Sequence, residues 1–210
     1  MALIASDAMT GTNWTDLHNH IAEQGGQWVR NPATPSARMY IYGGKVHCGQ
    51  ISGSAGAAFY LPVVPDSADY TVACDYTVLT NIGHVGIAGR MSTTANTYYF
   101  TYYDPVGHLI LAKRVNGVIT TLGFDIGTMS AGGSTYELAL IMAGTTISVE
   151  VDGVEVISEI DSSITAAGRG GVRSGSVNDA STGKHIDNFT ITDASVAPSP
   201  RSFVVGQSGL

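Results

Sequence analysis

From Asp69 onward, bulky apolar and small polar residues alternate with a period of two. In Tyr70-Thr-Val-Ala-Cys-Asp-Tyr-Thr-Val78 every second position is large or apolar, while Thr71, Ala73, Asp75 and Thr77 face the other way. Successive side chains on a strand point to opposite faces, so the pattern predicts a half-buried strand. The same reading predicts strands over 84–91, 97–103, 108–114, 136–142, 171–174 and 185–192. Asn116-Gly117 separates the apolar runs 109–115 and 118–122, and Asp152-Gly153 separates 146–151 from 154–160. Such pairs supply the positive φ angles of a two-residue hairpin turn.

The first third is less regular, with short strands around Trp28 and over 39–42, 45–48 and 57–61, and one helical turn within 15–21. About a dozen short strands with frequent turn signals predict an all-β sandwich. One domain over 1–195, with an N-terminal arm of about 1–12, accommodates them. Ala197-Pro-Ser-Pro-Arg-Ser202 then leads into an extended, apolar-ended segment over 196–210, read as a docking tail carried by Phe203, Val204 and Val205.

Composition narrows the function classes. Charged residues make up 13% of the 210, against about 25% in ordinary soluble domains. Ten basic and seventeen acidic residues leave a net charge of −7, which argues against a nucleic-acid backbone binder and a polybasic membrane-surface protein. The apolar run at Met1-Ala-Leu-Ile-Ala-Ser has no basic start and ends at Asp7, so it is not read as a signal peptide, and synthesis in a reducing cytoplasm is expected. Cys74 falls in phase with the apolar positions of its strand, and no disulfide framework is implied.

Several strings in order resemble the concanavalin A-like (laminin-G-like) jelly-roll family, especially the short forms in bacteriophage virion proteins. They are Thr10-Gly-Thr-Asn-Trp-Thr-Asp-Leu17 with His20, Gly25-Gly-Gln-Trp28, Gly86-Ile-Ala-Gly-Arg90, Tyr98-Tyr-Phe100, Leu109-Ile-Leu-Ala-Lys113, the segment 144–153, Ala167-Gly-Arg-Gly-Gly-Val-Arg173 and Ile186-Asp-Asn-Phe189. The resemblance covers roughly residues 5–193. It implies a jelly roll of two antiparallel sheets, one concave and one convex. The fold hosts lectins, glycosidases and structural proteins alike, so it does not set the activity.

Glu150-Val-Asp152-Gly-Val-Glu155 matches the Glu-x-Asp-x-x-Glu spacing of family-16-type glucanases, which resemble this chain in fold. Retaining hydrolysis needs two carboxyl groups about 5–5.5 Å apart across the scissile bond. Here Asp152-Gly153 reads as a hairpin turn, so no catalytic residue is assigned. The six histidines are scattered and lack zinc-like spacing. The resemblance also implies a structural calcium, with Asp7 and Asp187 on terminal strands as its candidate ligands. Two carboxylates are few for that cation, and Asp187 with Asn188 bonding a loop is the stronger reading. No other cofactor is implied.

Sugar binding has better residues. Tyr98, Tyr99, Phe100, Tyr102 and Tyr103 place aromatic rings on both sides of one strand, and one side must meet solvent, ligand or partner. Arg90, Tyr99 and Tyr103 are the candidate carbohydrate ligands, with the arginine offering a bidentate hydrogen bond. The competing reading is cross-strand pairing that only stabilises the sheet. The leading expectation is a non-catalytic virion protein, in the capsid decoration or the tail, that forms homo-oligomers and docks on other virion proteins. The alternatives are a lectin-like carbohydrate-binding module and, more remotely, a glycosidase. Only three lysines guard the strand edges, which favours assembly.

Overall fold

In the computed structural model, residues 2–178 and 181–193 are described, and they form sixteen strands. In chain order these begin with β1 (Leu3–Asp7), β2 (Thr15–Asp16), β3 (Val29–Arg30), β4 (Arg38–Tyr42), β5 (Lys45–Gln50) and β6 (Ala57–Tyr60). The alternating region supplies β7 (Tyr70–Val78), β8 (Val85–Met91), β9 (Tyr98–Tyr103), β10 (His108–Val115) and β11 (Val118–Ile126). The chain closes with β12 (Ser134–Ala143), β13 (Thr146–Val151), β14 (Val154–Ile160), β15 (Arg169–Ser174) and β16 (Lys184–Asp193). A 3-10 turn, Leu17–Asn19, is capped by the Asp16 side chain, which accepts from the His18 amide.

Two antiparallel sheets result. The nine-stranded one runs β14-β13-β12-β7-β16-β5-β4-β2, with β1 added on β16; the seven-stranded one runs β11-β10-β9-β8-β15-β6-β3. The Tyr70–Val78 alternation sets the core between them. Tyr70, Val72, Cys74, Tyr76 and Val78 are buried, and they share one cluster with Val85, Ile87, Leu109, Leu111 and Val172 of the facing sheet. Each fully buried Val, Leu or Ile stabilises by about 1.5–3 kcal/mol, so a core of this size closes the sandwich without a cross-link. Both cysteines are buried thiols, and burial pushes Cys48 up to about 11.

Both hairpin turns form as their sequences require. Asn116 and Gly117 have φ of 49° and 88°, and Asp152 and Gly153 have φ of 51° and 77°. The second strand of the first hairpin extends past 122, because Phe124 and Ile126 continue in register with Ile110 and His108. Residues 3–7 pair with β16 of their own chain, from Leu3↔Thr192 to Asp7↔Phe189, with Ala5 buried. That strand is therefore part of the chain's own nine-stranded sheet. Phe203, Val204 and Val205, with the whole 196–210 segment, lie outside the described residues.

Candidate functional site

Strand β9 divides its aromatic residues between two faces. Tyr99, Thr101 and Tyr103 point into the core between the sheets, while Tyr98, Phe100 and Tyr102 point to the outside of the seven-stranded sheet. The Tyr99 hydroxyl lies 2.6 Å from Asp161 Oδ1 and accepts from the Ile164 amide at 3.2 Å. Burial and the neighbouring Asp161 push its ionisation up to about 12. The Tyr103 hydroxyl donates to the Met129 carbonyl at 3.1 Å.

Arg90 sits at a bulge in β8 with φ of 48° and is 2% exposed. Its guanidinium donates to the carbonyls of Ala68 (2.9 Å), Ile164 (2.8 Å) and Gly144 (2.9 Å), and its amide donates to the Tyr70 hydroxyl. Arg90, Tyr99 and Tyr103, the residues expected to hold a sugar, thus form an interior scaffold. Their polar atoms already serve the backbone of four loops.

The calcium pair also has other work. Asp7 is buried beneath Trp28, whose indole donates to Oδ2 at 2.5 Å, while the Met9 amide (2.7 Å) and His20 Nε2 (2.9 Å) contact Oδ1. Burial of a carboxylate is tolerable only with such donors. Asp187 accepts from the Asn188 amide at 2.7 Å, and burial pushes its carboxyl above the ordinary aspartate range. Among the described residues no group of three His, Cys, Asp or Glu side chains gathers around a common point. Asp7 is accordingly a hydrogen-bonding hub for the N-terminal segment.

The Glu150–Glu155 string lies at the tip of the β13–β14 hairpin, on the sheet opposite β9. Glu150 pairs with Glu155 across the hairpin, and Asp152 Oδ1 accepts from the Glu137 amide at 2.8 Å. It is a turn tied to the neighbouring strand, as its sequence suggested.

A different set of residues converges on the outer face of the seven-stranded sheet. Strand register places Arg173, Gly86, Tyr102, Ile110 and Phe124 in one row across five strands, β15 to β11. Four strand spacings make the row about 19 Å long. A Cβ at Gly86 would meet the Thr101 carbonyl at 2.0 Å, so this position stays bare. The Arg173 guanidinium lies beside that gap, 4.4 Å from the Phe100 ring centroid and 5.3 Å from that of Tyr102. Tyr102 stacks on Phe100 at 5.7 Å and touches the His84 ring at 5.4 Å. At the far end Phe124 is 59% exposed, with the His108 ring 5.7 Å away.

The other half of this face is closed. Arg114 donates to the Ser54 and Ala55 carbonyls at 2.7 Å each, Asn96 Nδ2 reaches Ala55 O, and Asn31 Nδ2 donates to Ser92 O. These bonds draw the loops flanking β6, β8 and β9 together, and Tyr98, Phe100, Met91 and Ala112 are buried although they point away from the core. What remains open is the row's Tyr102–Phe124 end, offering an aromatic platform beside two imidazoles, a phenol and a guanidinium. The electrostatics there are basic. Burial and the charges of Arg173 and Lys184 hold His84 below the ordinary histidine range.

Sequence reasoning missed Arg173, His84, His108 and Phe124 as a group. Their adjacency depends on the order of five strands, and period two alone cannot say which aromatic face of β9 is the inner one.

No family model matches the sequence, and no curated protein matches it significantly. Solved structures share its architecture. A carbohydrate binding module, CBM66, from Bacillus subtilis is 15% identical, with 87% of this chain and 93% of that chain covered and a TM-score of 0.51. A Bacillus subtilis protein of unknown function with a galectin-like fold is 12% identical, with 87% and 96% covered and a TM-score of 0.59. A Bacillus licheniformis β-glucanase is 12% identical, with 88% and 100% covered and a TM-score of 0.53. The chain has the concanavalin A-like jelly-roll fold.

Proposed function

We propose that the chain is a non-catalytic, lectin-like carbohydrate-binding module whose ligand lies on the outer face of the seven-stranded sheet. The observation that carries this is the cross-strand row from Arg173 through Tyr102 to Phe124, which ends in an aromatic ring 59% exposed. An exposed ring offers a saccharide an apolar face to stack on, and fixed polar groups beside it set orientation. The Tyr102 hydroxyl, the His84 and His108 rings and the Arg173 guanidinium are those groups here. The carbohydrate binding module among the similar structures favours the same reading.

This displaces the virion role as the leading account. That role rested on docking by the 196–210 tail, which lies outside the described residues. The glucanase reading has weaker support, since its carboxylates occupy a hairpin tip on the other sheet.

Chemical-shift mapping tests the proposal. Saccharides retained from a glycan array are titrated into labelled protein. Perturbations centred on Tyr102, His84, His108 and Phe124 are expected; perturbations centred on the nine-stranded sheet would contradict it.

A further inference from the structure

Among the described residues three arginines are buried: Arg90, Arg114 and Arg173. Two of them are satisfied. Arg90 contacts three carbonyls and Asp69, and Arg114 donates to the carbonyls of Gly117, Ala55 and Ser54. Arg173, 3% exposed, makes a single hydrogen bond among the described residues, from Nη1 to the His84 carbonyl at 3.4 Å. Its Nε is buried without a partner, and no carboxylate pairs with it among the described residues. A buried charge held this way is costly, and the rings of Phe100 and Tyr102 offset only part of that cost.

Among the described residues, no carboxylate supplies the missing anion. Lys184 is buried nearby and spends Nζ on the carbonyls of Asn81, Gly83 and Asp104. Asp104, whose charge acts on the same His84 and Tyr102, accepts from the amides of Val106 and His108 and lies 3.6 Å from the His108 ring. In a chain of net charge −7, this end of the sheet is locally positive. Nη2 of Arg173 makes no hydrogen bond among the described residues, and it is the guanidinium nitrogen left to meet an anion.

We infer that the saccharide bound on this face carries a carboxylate, and that Arg173 receives it through Nη2. The inference rests on the carbohydrate-binding reading above and adds the chemical class of the ligand: uronate-type or other acidic sugars rather than neutral ones.

The test uses the wild-type chain and four probes, namely polygalacturonate, alginate, hyaluronate and sialyllactose. Each is compared with its carboxyl-reduced counterpart, and a set of neutral polysaccharides is run in parallel. At least one acidic probe is expected to bind ten times or more tighter than its reduced form. Arg173→Gln should remove that difference, and Arg173→Lys, which keeps the charge but not the planar guanidinium, should recover only part of it. The variants are used only if their unfolding transitions match a folded protein; the reduced-probe comparison needs no variant. Equal binding of acidic and reduced forms, or binding to neutral polysaccharides alone, would overturn the inference and leave carbohydrate binding standing. Retention of no saccharide at all would overturn both.

Discussion

Tyr99 and Tyr102 stand on one strand and point to opposite sides of its sheet. The Tyr99 hydroxyl is bonded to Asp161 in the interior, whereas Tyr102 stacks on Phe100 and meets the His84 ring outside. This division separates residues that build the sandwich from residues able to meet a ligand. Tyr99→Phe should leave saccharide binding unchanged while lowering stability by about 2 kcal/mol, because it deletes a hydrogen bond to a charged group. Urea unfolding beside a binding assay checks both halves.

Arg90 predicts a larger loss. Replacing it with methionine leaves the Ala68, Ile164 and Gly144 carbonyls without their donor. Unsatisfied buried groups cost about 1–3 kcal/mol each, so a destabilisation of about 3 kcal/mol or more is expected from denaturant midpoints. A midpoint within error of wild type would show that these bonds contribute little.

Asp161 predicts acid sensitivity. Burial alone would raise its carboxyl, but Lys113, the Tyr99 hydroxyl and the Ser163 amide outweigh burial and hold it well below the ordinary 3.8. A carboxyl depressed in the folded state contributes stability above its unfolded pKa and loses it as pH falls through the folded one. Unfolding free energy should therefore drop below about pH 4 in wild type, and less steeply in Asp161→Asn.

Lys184 acts with the opposite slope. Burial lowers its ammonium to about 8 from an ordinary 10.5. Between these values the unfolded chain binds the extra proton, so stability rises with pH. The gain is read as wild type minus Lys184→Met and should grow from about pH 8 to 10, because the buried Cys48 and Cys74 thiols and the Tyr70 phenol, all held above their ordinary values, lower stability with rising pH in both proteins alike. Calorimetric midpoints across that range give the sign directly.

Much of the fold is legible in the chain. The Tyr70–Val78 alternation marks a central strand, and Asn116-Gly117 and Asp152-Gly153 mark two hairpins, because local chemistry decides each. The site is less legible for two physical reasons. Tyr98–Tyr103 is aromatic on both faces, so its inner face is set by its neighbours in the sheet rather than by its own pattern. A bulge between β8 and β15, with Arg90 at positive φ, directs that side chain into backbone carbonyls, and no periodicity announces a bulge. The pairing of β1 with β16 spans nearly the whole chain and has no local signature either.

The central claim is that the open row on the seven-stranded sheet binds saccharide, and Phe124→Ala tests it most directly. Phe124 is exposed at a sheet edge, so its removal should leave the fold intact. Glycan-array affinity should fall about tenfold or more relative to wild type, the loss of one ring worth at least about 1.4 kcal/mol. A variant that binds the same saccharides as tightly as wild type would contradict the account.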